Sequence, residues 1–234
     1  MRKVSILVII LVLINSCKKA EDDELSIFER YCNEERILGR YGLTGETKSY
    51  FPYENSRELI FRDSSNRRIS FLISNEYENE FQETQFNIGP GNTNPDSTRY
   101  CYEREFQAIT YHNEDLNLNL SLTSTVENVP KELIFYDAVR VIVYETPPGN
   151  VIDQLIQLNI VSDFRGNSFQ LSNLIGNYEF ETLPTFQGVI RVFEDVFLKM
   201  EDNGPLKGLY FTKQEGVIGF LDLTGKLWLL DEIK

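Results

Sequence analysis

Three cysteines, a single histidine and a surplus of carboxylates bound the chemistry open to this chain. His112 alone makes neither a metal cluster nor a Ser-His-Asp relay, and no Gly-x-Ser-x-Gly elbow accompanies it. It reads as a strand-end or surface histidine. With no Cys-x-x-Cys pair and no clustered histidines, no metal or cofactor is expected. Acids are abundant: Glu76, Glu78, Glu80 and Glu83 lie close together, as do Glu103 and Glu105. A glycosidase-style pair needs two carboxyls about 5 to 9 Å apart in a cleft, a distance that spacing along strands does not reveal. The simpler reading makes these residues the solvated faces of strands and loops, so no catalytic residue is assigned and the chain is read as not an enzyme.

The first residues carry a clearer message. Arg2 and Lys3 give a basic start, Val4 to Ile14 an apolar run, and Asn15-Ser16-Cys17 a small-residue stop. This is the layout of a secretory signal, and the run is too short to cross a bilayer, which takes about 20 residues. Ile14-Asn15-Ser16-Cys17 resembles the lipobox of bacterial lipoproteins. The resemblance implies cleavage before Cys17, a diacylglycerol thioether on its thiol and an acylated amine. At about 0.8 kcal/mol per buried methylene, such chains would anchor the protein stably. The bland alternative is an ordinary secretion signal that leaves Cys17 a free thiol. Lys18-Lys19 and then Glu21-Asp22-Asp23-Glu24 follow. This stretch is similar to the acidic export signal with which some Gram-negative bacteria send lipoproteins to the cell surface; it also fits a plain solvated tether. The expected organisation is a signal peptide at 1–16, a lipidated charged tether at 17–24 and one β-rich domain at 25–234.

Charge narrows the partners. The chain carries 23 Lys+Arg against 36 Asp+Glu, a formal net charge of −13. Loss of residues 1–16 removes two cations, Arg2 and Lys3, and takes it to −15. Such acidity argues against nucleic acid, whose phosphates need Lys and Arg, and against adsorption to anionic headgroups. Membrane attachment is therefore expected through lipid on Cys17, and the remaining partner is an unidentified protein, glycan or lipid.

With Cys17 acylated, Cys32 and Cys101 are left as an even pair in an exported, oxidising setting. They either form a disulfide or stay as two buried thiols that never meet, since sequence does not give their Cα separation. Asp96-Ser97-Thr98 resembles a short acceptor that some of these bacteria O-glycosylate, which makes Ser97 a candidate within the turn-rich stretch Gly89 to Ser97. Tyr50, Phe51, Tyr53, Tyr100, Tyr102 and Tyr111 would suit a sugar- or lipid-binding face, or more simply the core and cross-strand pairs of a sheet.

The elements that must position these residues are mostly strands. Phe and Tyr are plentiful, 16 and 12, which favours strands and a real core over disorder. Leu25 to Leu38 has apolar residues near helical spacing and predicts a short N-terminal helix, ended by Gly39. Glu58 to Arg62 and Arg68 to Ile73 flank a polar turn as a hairpin. Strands are expected near Phe81 to Ile88, Arg99 to Tyr111, Leu133 to Tyr144, Val151 to Val161, Tyr178 to Thr182 and Val189 to Met200. Leu116, Leu118, Leu120 and Leu122 alternate with Asn and Ser or Thr, the period of a strand with one buried face. Three short strands close the chain: Gly208 to Thr212, Gly216 to Leu221 and Lys226 to Leu230. That ending resembles a C-terminal meander seen in uncharacterised bacterial lipoproteins, over about residues 208–231, and implies no activity. Gly216 is expected at a tight turn and Gly219 at a close strand approach. The fold expected is mainly β, an antiparallel curled sheet or small sandwich with a short N-terminal helix. The expected function is a lipid-anchored, surface-exposed outer-membrane lipoprotein that binds without catalysis. The alternatives are a lipid or glycan carrier with an apolar cavity, and a carboxylate-dependent hydrolase.

Overall fold

A computed structural model describes residues 32, 36–88, 98–129, 132–145, 155–165, 180–188 and 191–234. Its elements are β1 (Ile37–Tyr41), α1 (Gly45–Ser49), β2 (Glu58–Asp63), β3 (Arg68–Ile88), β4 (Thr98–Asn113), β5 (Leu118–Asn128) and β6 (Phe135–Glu145), then β7 (Leu155–Phe164), β8 (Glu181–Gln187), β9 (Val192–Met200), β10 (Gly208–Thr212), β11 (Gly216–Leu221) and β12 (Leu227–Ile233). They form one sheet in the order β7-β6-β5-β4-β3-β2-β12-β11-β10-β9-β8, with β1 added parallel to β4. Every neighbouring pair along that order is antiparallel. Of the two architectures expected, the curled sheet is the one found: a half-barrel in which β7 comes to lie against β9 and β10.

The alternation read in the sequence sets the concave face. Leu118, Leu120 and Leu122 of β5 are buried, in register with Val143 and Val141 of β6 and Tyr111 and Ile109 of β4. Phe61, Phe71, Phe211, Phe220 and Trp228 complete the same cluster, with Ile156, Leu158 and Ile160 from β7 across the curl. Each such side chain contributes roughly 1.5–3 kcal/mol by leaving water, so the curl is held chiefly by what it encloses. Convex-side chains of β9 to β12, among them Val196, Tyr210, Ile218 and Leu229, make a second buried cluster. In β9 a positive φ of 50° at Asp195 shifts the alternation, which lets Phe193 and Val196 join that cluster together.

Segment 42–53 seals the sheet from one side, and two buried carboxylates hold it. Thr44 caps α1, its hydroxyl accepting from Thr47 N at 3.3 Å. Asp137, fully buried, accepts from Thr44 N (2.8 Å), the Thr44 hydroxyl (3.0 Å), the Thr47 hydroxyl (2.8 Å) and Arg165 (2.7 Å). Glu105 accepts from Leu43 N at 2.9 Å and pairs with Lys48 at 2.7 Å. A buried charge is stable only when so partnered. The expectation that Glu105 sits on a solvated face is thereby corrected. Beyond α1, Tyr50, Phe51 and Tyr53 enter the main cluster. The Tyr53 hydroxyl accepts from Val217 N at 2.6 Å, occupying the space where any side chain on Gly216 would begin.

The end of the expected N-terminal helix needs a second correction. Most of Leu25 to Leu38 lies outside the described residues, but Ile37 and Leu38 belong to β1. The edge of β4 supplies their backbone partners, and Leu38 and Tyr41 pack beside Tyr102 and Phe135. Gly39, expected as a helix stop, instead takes φ 96° within the bulge between Ile37 and Arg40. The short helix among the described residues is α1.

Candidate functional site

The residues with the most chemistry around a single opening come from the β2–β3 hairpin, β12 and the turn between β8 and β9. Asp63 ends β2 and organises its own turn. Its Oδ1 accepts from Ser65 N (2.8 Å) and Arg67 N (3.0 Å), and its Oδ2 takes the Arg67 guanidinium at 2.8 Å. These bonds hold the Asp63 carboxyl below the usual carboxylate range, the Arg67 side chain contributing most. Asp231, on β12, binds two guanidiniums, Arg62 at 2.6 Å and Arg68 at 2.8 Å. Arg191 pairs with Glu215 and lies over the Phe193 ring, 4.6 Å from its centroid. Lys226 stands 3.6 Å from Asp63 and 5.6 Å from the Trp228 ring. In a chain with an excess of acids, five cations gather here because the turn Asp63 to Arg68 lies beside the start of β12, where the β8–β9 turn also comes in.

Arg62, Asp63, Arg191 and Asp231 of this group border a cavity of about 260 Å³. Phe193, Leu229 and Leu230 give it an apolar part, Arg62, Arg191, Asp63 and Asp231 its polar walls, and Gly188 one rim. A Cβ on Gly188 would stand 2.8 Å from the Arg191 carbonyl oxygen and 3.3 Å from Leu229, so a bare backbone lets the β8–β9 turn close onto β12. The Arg62 Nε is shielded from solvent and has no hydrogen-bond partner among the described residues. Fixed donors and acceptors beside an apolar patch are the usual makings of a small-molecule site, and the volume suits a ligand below drug size. Two carboxylates border the cavity, the inventory of a hydrolytic pair. Asp63 is held low, which fits the ionised member of such a pair and not its general acid.

The residues singled out from the sequence lie elsewhere. Cys17 and Ser97 are outside the described residues. Cys32 and Cys101 are joined by a disulfide with Cα atoms 6.1 Å apart, which ties the chain before β1 to β4. His112 Nδ1 lies 3.1 Å from Asn119 Oδ1 across the β4–β5 pair. Glu76, Glu78 and Glu80 are exposed, and Glu103 binds Arg40 at 2.6 Å. Tyr50, Phe51, Tyr53 and Tyr111 are core residues. Tyr102 is buried against Phe135, and Tyr100 stacks on Phe86. They form cross-strand and core pairs.

Arg62, Arg191 and Asp231 escaped notice because they are 40 to 170 positions apart and share no motif; the crowding of Arg62, Arg67 and Arg68 in an acidic chain was the one signal available. Among the described residues, no group of three or more His, Cys, Asp and Glu side chains converges as a metal site would. No family model, curated protein or solved structure matches the chain.

Proposed function

We propose that the mature chain is anchored in the outer membrane by lipid on Cys17 and displays its half-barrel at the cell surface as a non-enzymatic binding module. The cavity between β2, β12 and the β8–β9 turn is its ligand site. That cavity is the observation that carries the binding reading: ion-paired guanidiniums and carboxylates beside Phe193 and Leu229 offer both donors and acceptors to a small polar molecule. The lipobox-like Ile14 to Cys17 and the acidic residues after it support the address. The Cys32–Cys101 bridge is consistent with an oxidising compartment. Among the described residues the concave face carries a buried cluster that includes Tyr53, Phe61 and Trp228, which supports this reading over a lipid carrier with an open cavity.

Two experiments test the proposal. Protease shaving of intact cells, with Cys17→Ala as control, should release fragments of the wild-type domain. Protection until the outer membrane is ruptured would refute surface display. A thermal-shift and ligand-observed NMR screen of monosaccharides and other small polyols should find binders whose signal disappears in Arg62→Ala/Arg191→Ala. Hits that survive that substitution would put the ligand elsewhere.

A further inference from the structure

Strand β3 is far longer than the strand it pairs with on one side. Its edge towards β2 is satisfied from Arg68 to Leu72, and Ile73 N donates to Arg57 O at 2.9 Å. Beyond that point the opposite edge stays paired with β4 as far as Ile88. Among the described residues no strand pairs with the β2-side edge from Ser74 onward. The register with β4 is irregular between Ile73 and Glu78 and regular from there on. Among the described residues a row of backbone donors and acceptors is therefore left without a strand partner at Glu78 to Gln82, on an arm that β4 and the bridged β1 segment hold in place.

Exposed open edges are hazards, and their side chains decide what joins them. Glu78 and Glu80 are exposed and, two residues apart, share one face of the strand. Phe81 is on the other face, 40 % exposed, with the Arg40 guanidinium 4.4 Å from its ring centroid and its remaining ring edge open to a neighbour. A second copy pairing antiparallel about Glu78 would set Glu78 against Glu78 and Glu76 against Glu80, and like charges directly opposite are destabilising. An extended segment with Lys or Arg at alternate positions would instead place its cations opposite Glu78 and Glu80. Its intervening apolar residues would fall beside Phe81, with main-chain hydrogen bonds supplying the rest.

We infer that the open edge of β3 at Glu78 to Gln82 is a strand-addition site for an extended partner segment in which basic and apolar residues alternate. The site is independent of the cavity beside β12, none of whose lining residues lies on β3.

The test uses the full mature chain and a fluorescent Lys-Val-Lys-Thr-Lys-Val peptide. Two controls accompany it: the same peptide with Glu in place of Lys, and one N-methylated on alternate backbone amides to block pairing while keeping charge. The wild type should bind the Lys peptide, more weakly as salt rises, and bind neither control. Glu78→Lys/Glu80→Lys, at exposed positions that leave the fold intact by circular dichroism, should lose about tenfold or more in affinity for the Lys peptide. The same variant should gain affinity for the Glu peptide. The inference is overturned by any of four results: no binding of the Lys peptide, equal binding of the N-methylated peptide, indifference to charge reversal, or wild-type dimers that Glu78→Lys/Glu80→Lys dissolves.

Discussion

Replacing Gly216 by Ala tests the contact that ties the segment after α1 to the final meander. Gly216 has φ 72°, and a Cβ there would lie 1.7 Å from the Tyr53 hydroxyl oxygen and 2.4 Å from its ring Cζ. Ordinary contact begins near 3.4 Å, so Tyr53 must retreat. Its ring is fully buried between Phe51 and Tyr111, and its hydroxyl holds Val217 N at 2.6 Å. The left-handed backbone costs alanine about 1–2 kcal/mol, overpacking about 1–3, and a stranded buried N–H about 1–3. Gly216→Ala should therefore destabilise by roughly 3–8 kcal/mol, lowering Tm by roughly 6–32 °C. Tyr53→Phe alone should cost about 1–3 kcal/mol. In the double variant the nearest atom and the hydrogen bond are already gone, so its loss should fall short of the sum by about 1–3 kcal/mol. Urea titration read by the single tryptophan suits the measurement, because Trp228 is buried and stacks on Phe220 of β11. A Gly216→Ala protein within about 0.5 kcal/mol of wild type, or a double variant equal to the sum, would refute the reasoning.

Asp137→Ala should cost about 2–4 kcal/mol, because it strands the Thr44 and Thr47 donors and frees Arg165. Hydrogen exchange should locate the loosening at residues 44–48. Stability should fall in acid: the Asp63, Glu58 and Glu103 carboxyls are lowered in the folded state by Arg67, Ser70 and Arg40 respectively. Their contribution is present above the ordinary carboxylate values of 3.8 and 4.5 and is lost as pH drops through the lower folded values. Asp63→Asn should flatten the acid limb of a stability–pH curve. In alkali the sign reverses. Burial pushes Tyr102 and Tyr111 up to about 12, so their contribution is whole below pH 10 and disappears as pH climbs towards 12. Tyrosinate absorbance should consequently rise together with unfolding. Reduction of the Cys32–Cys101 bridge, whose ends are 69 residues apart, should cost about 2–4 kcal/mol in thermal melts run with and without reductant.

Much of the sheet was legible because burial on one face writes period 2 into the chain, as at Leu118, Leu120 and Leu122. The closing meander was legible too, because its turns carry Gly at the positions that need it; at Gly219 a Cβ would sit 2.4 Å from the Trp228 carbonyl oxygen. What failed did so for physical reasons. Ile37 and Leu38 end a stretch whose apolar residues have helical spacing in sequence, yet the partners of β1 are on β4, some 60 residues away. β3 looked like two strands because Ser74 to Glu80 is polar on both faces, as an arm with solvent beside it must be. α1 is too short to show a period, and only the Thr44 cap marks it. The cavity was invisible because its walls meet only when β12 slots beside β2.

That slot also fixes an order of events. β12 lies between β2 and β11, so one half of the sheet grows outward from β2 to β7 and the other from β11 to β8. Among the described strands the seam comes after all the others in sequence. Until Leu227 to Ile233 arrives, Phe61 and Phe71 lack the Phe220 and Trp228 rings that complete their cluster, and the two halves have no shared strand. Pairings this distant in sequence form slowly. The half-barrel therefore closes only when β12 joins its two halves, pairing with β2 on one side and β11 on the other.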